Sequence, residues 1–196
     1  MRYILASASP RRKEILENLG LDFTVITSDA DESSDLTDPE ELTKELAKRK
    51  GQAVAELLSD KLDGETVIIS ADTVVCCDGE ILGKPRDRSD AERMIRMLSG
   101  KAHTVTSGVA LIYNGKAYSC AATTRVFFDE LDEDFINNYI NSAEPYDKAG
   151  SYAIQGKAAP VISKIDGCYF NVVGLPVNCL YRLAKENGIP FTTDIS

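Results

Sequence analysis

Residues 66–82 read Thr66-Val67-Ile68-Ile69-Ser70-Ala71-Asp72-Thr73-Val74-Val75-Cys76-Cys77-Asp78-Gly79-Glu80-Ile81-Leu82. Thr66–Ile69 is apolar and β-branched without alternation, which predicts a central strand buried on both faces. Val74–Cys77 and Glu80–Leu82 flank Asp78-Gly79, a two-residue turn signal that predicts a hairpin. Ser70-Ala71-Asp72-Thr73 between them is expected to be a polar loop that ends the central strand. Upstream, Asp38-Pro39 opens a long helical pattern with Leu42, Leu46, Ala53 and Leu57 near one face. A strand reached through a helix and left through a hairpin belongs to a mixed sheet.

The rest of the chain extends that reading. Tyr3–Ala6 predicts a short buried strand. Ser7-Ala8-Ser9 leads into a helix with Pro10 at its first position, Ile15, Leu16 and Leu19 on one face, and Gly20 as its stop. Phe23–Ile26 predicts a second strand, followed by an acidic loop over 27–38. Ser89 and Glu92 suggest a capping box for a helix running to Leu98. Thr104–Tyr113 and Lys116–Phe128 flank Asn114-Gly115, a strong hairpin signal, and a helix follows from Asp132 to Ile140. Val161–Ile165 and Cys168–Val173 around Asp166-Gly167 suggest another hairpin. Pro176 opens a last helix that Gly188 ends. The expectation is an α/β chain, a mixed twisted sheet with helices on its faces, and, with no repeat or linker, one domain over 1–196.

Of 196 residues, 43% are apolar and 27% charged, ordinary for a globular protein. Lys plus Arg number 22 and Asp plus Glu 31, a net charge of −9 that argues against a general binder of nucleic acid or anionic membrane. A small anionic ligand at a local basic patch stays open. The longest apolar run, Val109–Tyr113, is five residues, far short of the ~20 that span a bilayer, and a cytoplasmic chain without membrane partners is expected. The five cysteines show no C-x-x-C spacing and are read as reduced thiols. His103, the one histidine, follows a helix stop at Leu98-Ser99-Gly100 and is read as structural; one histidine leaves no His-based metal cluster.

Four segments could carry chemistry. Ser7-Ala8-Ser9-Pro10-Arg11-Arg12-Lys13 places three cations in the first turn of a helix, where the macrodipole disfavours them. An anion seated there would let N–H groups, hydroxyls and guanidinium forks converge on phosphate oxygens; an exposed basic turn is the plainer alternative. If they bind phosphate, removing Arg11 or Arg12 is expected to leave stability intact, because both oppose the helix dipole in the free protein. Asp72 after an apolar strand suits a metal ligand or general base, with Lys84 twelve residues on in Gly83-Lys84-Pro85; a turn-capping Asp and a surface Lys explain the same spacing. Asp29-Ala30-Asp31-Glu32 could hold Mg²⁺ or be a solvated loop. Lys50, on the long helix, is by itself an ordinary solvated residue. Lys148-Ala149-Gly150-Ser151-Tyr152-Ala153-Ile154-Gln155-Gly156 puts a lone Gln between glycines. That suits close approach to a ligand and two-point pairing with a nucleobase edge, or a simple Gly-bounded strand.

Together these segments resemble the Maf family of nucleoside triphosphate pyrophosphatases, once described as septum-formation inhibitors. The resemblance runs through Leu5–Arg12, Ala71-Asp72-Thr73, Gly83-Lys84-Pro85, Leu98–His103, Asp147–Gly156, Ile165-Asp166-Gly167 and Gly174-Leu175-Pro176. It implies an elongated two-lobed single domain around a central cleft, similar to the inosine triphosphatase group, and a homodimer. It implies hydrolysis of a nucleoside triphosphate to monophosphate and pyrophosphate with a divalent cation, Mg or Mn. Asp72 would be the catalytic base; Ser7, Arg11, Arg12, Lys50, Thr73, Lys84 and Gln155 would contact substrate. Glu32 and Asp72 would hold metal, Glu32 being preferred over Asp31 because the family's loop is often a Glu pair. Thr73 and Gln155 match the members that prefer dTTP and UTP, whereas the sister group acting on 7-methyl-GTP carries Gln and Glu there. The alternative is a non-catalytic regulator of cell division; a pure binder needs no base, and Asp72 among phosphate-directed cations favours the enzyme.

Overall fold

The computed structural model describes residues 1–59 and 64–191. Among them, seven strands form one sheet: β1 (Arg2–Leu5), β2 (Phe23–Val25), β3 (Thr66–Cys77), β4 (Glu80–Leu82), β5 (Ala102–Tyr113), β6 (Lys116–Phe128) and β7 (Ile162–Asp166). Their order is β2-β1-β3-β5-β6-β7, with β4 paired to β3. β1 lies parallel to β2 and to β3, whereas β3–β4 and β6–β7 are antiparallel, so the sheet is mixed as expected. The α-helices are α1 (Pro10–Asn18), α2 (Pro39–Leu57), α3 (Arg88–Leu98), α4 (Glu133–Ile140), α5 (Tyr169–Val173) and α6 (Val177–Glu186). Among the described residues no helix is long and apolar enough to cross a membrane.

Local chemistry accounts for most boundaries. Pro10 starts α1, and Asp38 caps α2 by accepting from the Glu41 N–H at 2.9 Å. Two of the three predicted two-residue hairpin turns form in the left-handed region, Asp78 with φ 50° and Gly79 with φ 81°, Asn114 with φ 50° and Gly115 with φ 71°.

Five expectations need correction. Ser70–Thr73 is not a loop: β3 runs unbroken through it, because its polar groups are met by α2, as described below. The buried face of α2 is Leu42, Thr43, Leu46, Ala47, Gly51 and Val54; Leu57 is 66% exposed. Asp87, not Ser89, caps α3, accepting from the Asp90 N–H at 2.8 Å. Gly167 does not turn into a strand. Its conformation, φ 132°, delivers Cys168 and α5 to Thr124, whose Oγ1 accepts from the Cys168 N–H at 3.0 Å and from Asn171 Nδ2 at 2.9 Å. Among the described residues β7 therefore pairs with β6 alone, and a helix follows it. Cys120 on β6 and Cys179 on α6 form a disulfide, their Cα atoms 6.4 Å apart; Cys76, Cys77 and Cys168 are free thiols as read.

The chain divides into two compact units. The first comprises Met1–Asp72, Ser107–Ala122 and the chain from Gly174 on; its core includes Ile4, Ala6, Val54, Ile68 and Ile112. The second comprises Thr73–Thr106 and Thr123–Val173, with a core that includes Val75, Leu82, Ile95, Leu98, Val126, Phe128 and Ile136. His103 belongs to the second core, edge-on to Phe128 and Tyr152, which bears out its structural reading.

Candidate active site

In the first unit, α2 lies unusually close to the sheet. Thr43, Ala47 and Gly51, four residues apart, form a stripe of small buried side chains. A Cβ on Gly51 would meet Ser70 Oγ and Ile112 at 2.8 Å, and one on Gly108 of β5 would overlap the Thr43 backbone. Ser70 Oγ donates to the Ala47 carbonyl at 2.6 Å, fixing helix against strand inside the core. The stripe holds Lys50, beside Gly51, where its Nζ donates to Asp72 Oδ1 at 2.6 Å. The Lys50 and Asp72 side chains are only 19% and 11% exposed, so this is a largely desolvated ion pair.

Glu32 completes the group, with Oε1 3.2 Å from the same Nζ. Its loop is held from α2, since Arg49 Nη1 donates to the Ser33 carbonyl at 2.7 Å. Asp31 is occupied locally: its carboxylate accepts the Ser33 N–H at 2.9 Å and hydroxyl at 2.8 Å, and the backbone bond holds its pKa below the usual range. Of the two acids, Glu32 is the one that faces Lys50 and Asp72.

The start of α1 forms the other part of the site. Asp38, Asp87 and Asp132 cap α2, α3 and α4, but α1 has no side-chain cap and no acid in its first turn. Arg12 Nη1 donates to Ser7 Oγ at 3.0 Å and Arg12 Nε to the Gly174 carbonyl at 2.8 Å. Burial pushes the Arg12 guanidinium pKa down, the charge of Asp72 pushes it back up, and Arg11 and Glu32 act in the same local field. Arg12 is therefore tied into the fold as well as facing the acidic pair, which sets against the expected neutral effect of its removal on stability two hydrogen bonds that the removal would break.

The structure thus groups Ser7, Arg12, Lys50, Asp72 and Glu32, with Arg11 half-buried on the same turn. Thr73, Lys84 and Gln155 belong to the second unit. Thr73 is half-buried on β3; Lys84 is exposed after β4; Gln155 is exposed in a turn. The Gly150 N–H donates to the Gly83 carbonyl at 3.1 Å, joining the segments that carry Lys84 and Gln155. The two glycines expected to allow approach to a ligand serve internal packing: a Cβ on Gly150 would meet Val75 at 2.9 Å, and one on Gly156 would overlap the Glu144 carboxylate. The i, i+4 stripe on α2 and the Gly174 carbonyl were not anticipated. The stripe was legible as spacing; the carbonyl, 162 residues from Arg12, carries no local signal.

A family model described as Maf-like protein matches residues 2–187. The chain belongs to the Maf family. Its relatives include a dTTP/UTP pyrophosphatase of Thermococcus kodakarensis, 47% identical over 185 residues that cover 94% of this chain and 96% of the relative. A protein of the same description from Thermococcus gammatolerans is 48% identical over 182 residues, covering 93% and 95%. Another from Alkaliphilus oremlandii is 49% identical over 178 residues, covering 89% and 90%. Among solved structures, the Staphylococcus aureus Ham1 protein has a similar fold, with a TM-score of 0.51 at 14% identity over 95% of this chain and all of that one.

Among the described residues no group of three His, Cys, Asp or Glu side chains is placed to hold a metal ion, so protein ligands for a divalent cation come down to two carboxylates. Asp72 and Glu32 present carboxylate oxygens to one ammonium from different elements, and Mg²⁺ is characteristically held by one or two carboxylates while keeping several waters.

Proposed function

We propose that this Maf-family chain hydrolyses dTTP and UTP to the monophosphate and pyrophosphate, and that residues 1–196 act as one catalytic domain. The observation that carries the reading is the desolvated Lys50–Asp72 pair with Glu32 beside it, next to the arginine-bearing, uncapped start of α1. The relatives' shared description as dTTP/UTP pyrophosphatases gives the reaction class.

Water attacks the α-phosphorus; the new P–O bond forms as the bond to the bridging oxygen breaks, and pyrophosphate leaves with that oxygen. Asp72 orients the water and accepts its proton, and Lys50 fixes the carboxylate's position. Arg11, Arg12, Ser7 and the positive end of the α1 dipole bind the anionic phosphates and meet charge that grows on the leaving group. Glu32 and Asp72 would hold Mg²⁺ or Mn²⁺, which when bound supplies Lewis-acid polarisation of the phosphoryl oxygens. On the second unit, Lys84 adds a cation for the phosphates, Thr73 contacts substrate and Gln155 reads the base. A Gln amide accepts from the uracil or thymine N3–H and donates to a neighbouring carbonyl; guanine's N1–H and O6 present the same pair in a larger base, so discrimination rests on where the amide is held.

The test is to incubate the protein with UTP, dTTP, CTP, GTP and ATP in Mg²⁺ and identify the product. Pyrophosphate from UTP and dTTP, with kcat/KM at least about tenfold above GTP and ATP, is expected. Orthophosphate, a purine preference, or binding without turnover overturns the reading. Asp72→Asn should cost about 10²–10⁴-fold in kcat in a protein that still folds; more than a tenth of wild-type kcat removes Asp72 from its role.

A further inference from the structure

Gln155 lies outside any helix or strand, and its side chain is exposed. A side chain so placed discriminates between bases only if its backbone is held. The turn that carries it closes on itself through the Gly156 N–H to the Ala153 carbonyl at 3.1 Å, but what fixes its place is Glu144, eleven residues earlier. Both Glu144 carboxylate oxygens accept the Lys157 backbone N–H, each at 2.9 Å, and Oε1 also accepts the Tyr139 hydroxyl at 3.0 Å. Gly156 presses its Cα against that carboxylate so closely that a Cβ could not be fitted between them. Glu144 is itself anchored: its carbonyl accepts from Lys148 Nζ at 3.0 Å, and Tyr139 is 3% exposed in the core. The carboxylate grips backbone, so the identity of the residue 157 side chain does not enter the contact.

We propose that Glu144, with Tyr139 behind it, is the positioning residue for base recognition, its carboxylate clamping the 153–157 turn so that Gln155 is presented in one orientation. The proposal rests on Gln155 as the base reader. It explains why a glycine follows Gln155: any larger residue would displace the carboxylate. Burial pushes the Tyr139 phenol pKa far up, so the hydroxyl stays a donor throughout the working pH range.

The experiment measures kcat/KM for UTP and GTP on the wild type, Glu144→Ala, Glu144→Gln, Gln155→Ala and the Glu144→Ala/Gln155→Ala double variant, with Tm recorded for each. Gln155→Ala should lower the UTP-over-GTP ratio by about tenfold. Glu144→Ala should lower it by most of that factor. Glu144→Gln, which keeps one acceptor oxygen, should fall between wild type and Glu144→Ala. The double variant should be no less selective than Gln155→Ala, because the clamp acts only through the residue it positions. A role confined to stability would lower kcat/KM for both nucleotides alike and leave the ratio in place. That result in Glu144→Ala overturns the proposal while Gln155 stands. An unchanged ratio in Gln155→Ala overturns the base-reader reading and this proposal with it. Should Glu144→Ala yield no folded protein, Glu144→Gln decides by the same ratio, a value within twofold of wild type counting against the clamp.

Discussion

Arg11 and Arg12 are adjacent in sequence and differ in what the fold asks of them. Arg12 ties α1 to the Gly174 carbonyl and to Ser7 at once, whereas Arg11 is half-buried and is felt by Arg12 as a like charge. A hydrogen bond from a charged donor contributes about 1.5–3 kcal/mol, so Arg12→Ala should lower Tm by several degrees as well as kcat/KM by at least about tenfold. Arg11→Ala should lower kcat/KM by a similar factor and leave Tm unchanged, because its charge opposes the α1 dipole. Thermal melting beside steady-state kinetics separates the two; an unchanged Tm in Arg12→Ala removes its structural role. Gln155→Glu belongs to the same scale. A carboxylate only accepts, so it suits a guanine edge and repels a uracil carbonyl, and the UTP-over-GTP ratio should narrow or reverse. Retention of the full pyrimidine preference counts against Gln155 as base reader. The residue types were legible in the sequence; the Lys50–Asp72 pairing was not, because it closes over 22 residues and depends on how α2 lies on the sheet.

Elements announced by local chemistry are readable from the amino-acid order alone: proline at the start of α1, the Asp38 cap, and the Asp78-Gly79 and Asn114-Gly115 turns each act within four residues. Elements decided by distant partners are not. β3 continues through Ser70 and Asp72 because the Ala47 carbonyl and Lys50 satisfy them, and residues 169–173 turn helical where Thr124 and the Val105 carbonyl receive Cys168 and Asn171. The disulfide is the extreme case, since Cys120 and Cys179 are 59 residues apart and no spacing rule connects them. It ties β6 to α6, whose start follows directly on the Gly174-Leu175-Pro176 segment that holds Arg12. Closing a loop of that length removes unfolded-state entropy equivalent to as much as about 4 kcal/mol. Cys179→Ser should therefore lower Tm measured without reductant and match the wild type measured in excess dithiothreitol. Equal Tm values without reductant would mean that the bridge adds no stability.

For the molecule as a whole, acid stability is governed in one pH window by a buried histidine of the second unit. His103 is 3% exposed, its Nε2 is 2.7 Å from the Tyr152 hydroxyl, and Nδ1 has no partner among the described residues. Burial pushes its pKa down to about 4, from an ordinary value of 6.5. In the unfolded chain the ring takes a proton as pH falls through about 6.5, while the folded ring stays neutral until about 4, so the unfolded state binds more protons across that window and stability falls on acidification. The loss amounts to at most about 3 kcal/mol between those limits and stops growing below the lower one. Asp90, held well below the usual carboxylate range chiefly by its bonds from Arg86, acts in a different interval: its contribution is present above its unfolded pKa of 3.8 and is lost only as pH falls beneath that. The two effects are therefore separable. Urea unfolding of the wild type from pH 7 to pH 4.5 should show stability falling with acidification. His103→Gln, which cannot titrate and keeps an acceptor for the Tyr152 hydroxyl, should start lower and show a shallower fall over the same range. Parallel slopes for the two proteins would show that His103 is not the group that sets this part of the profile.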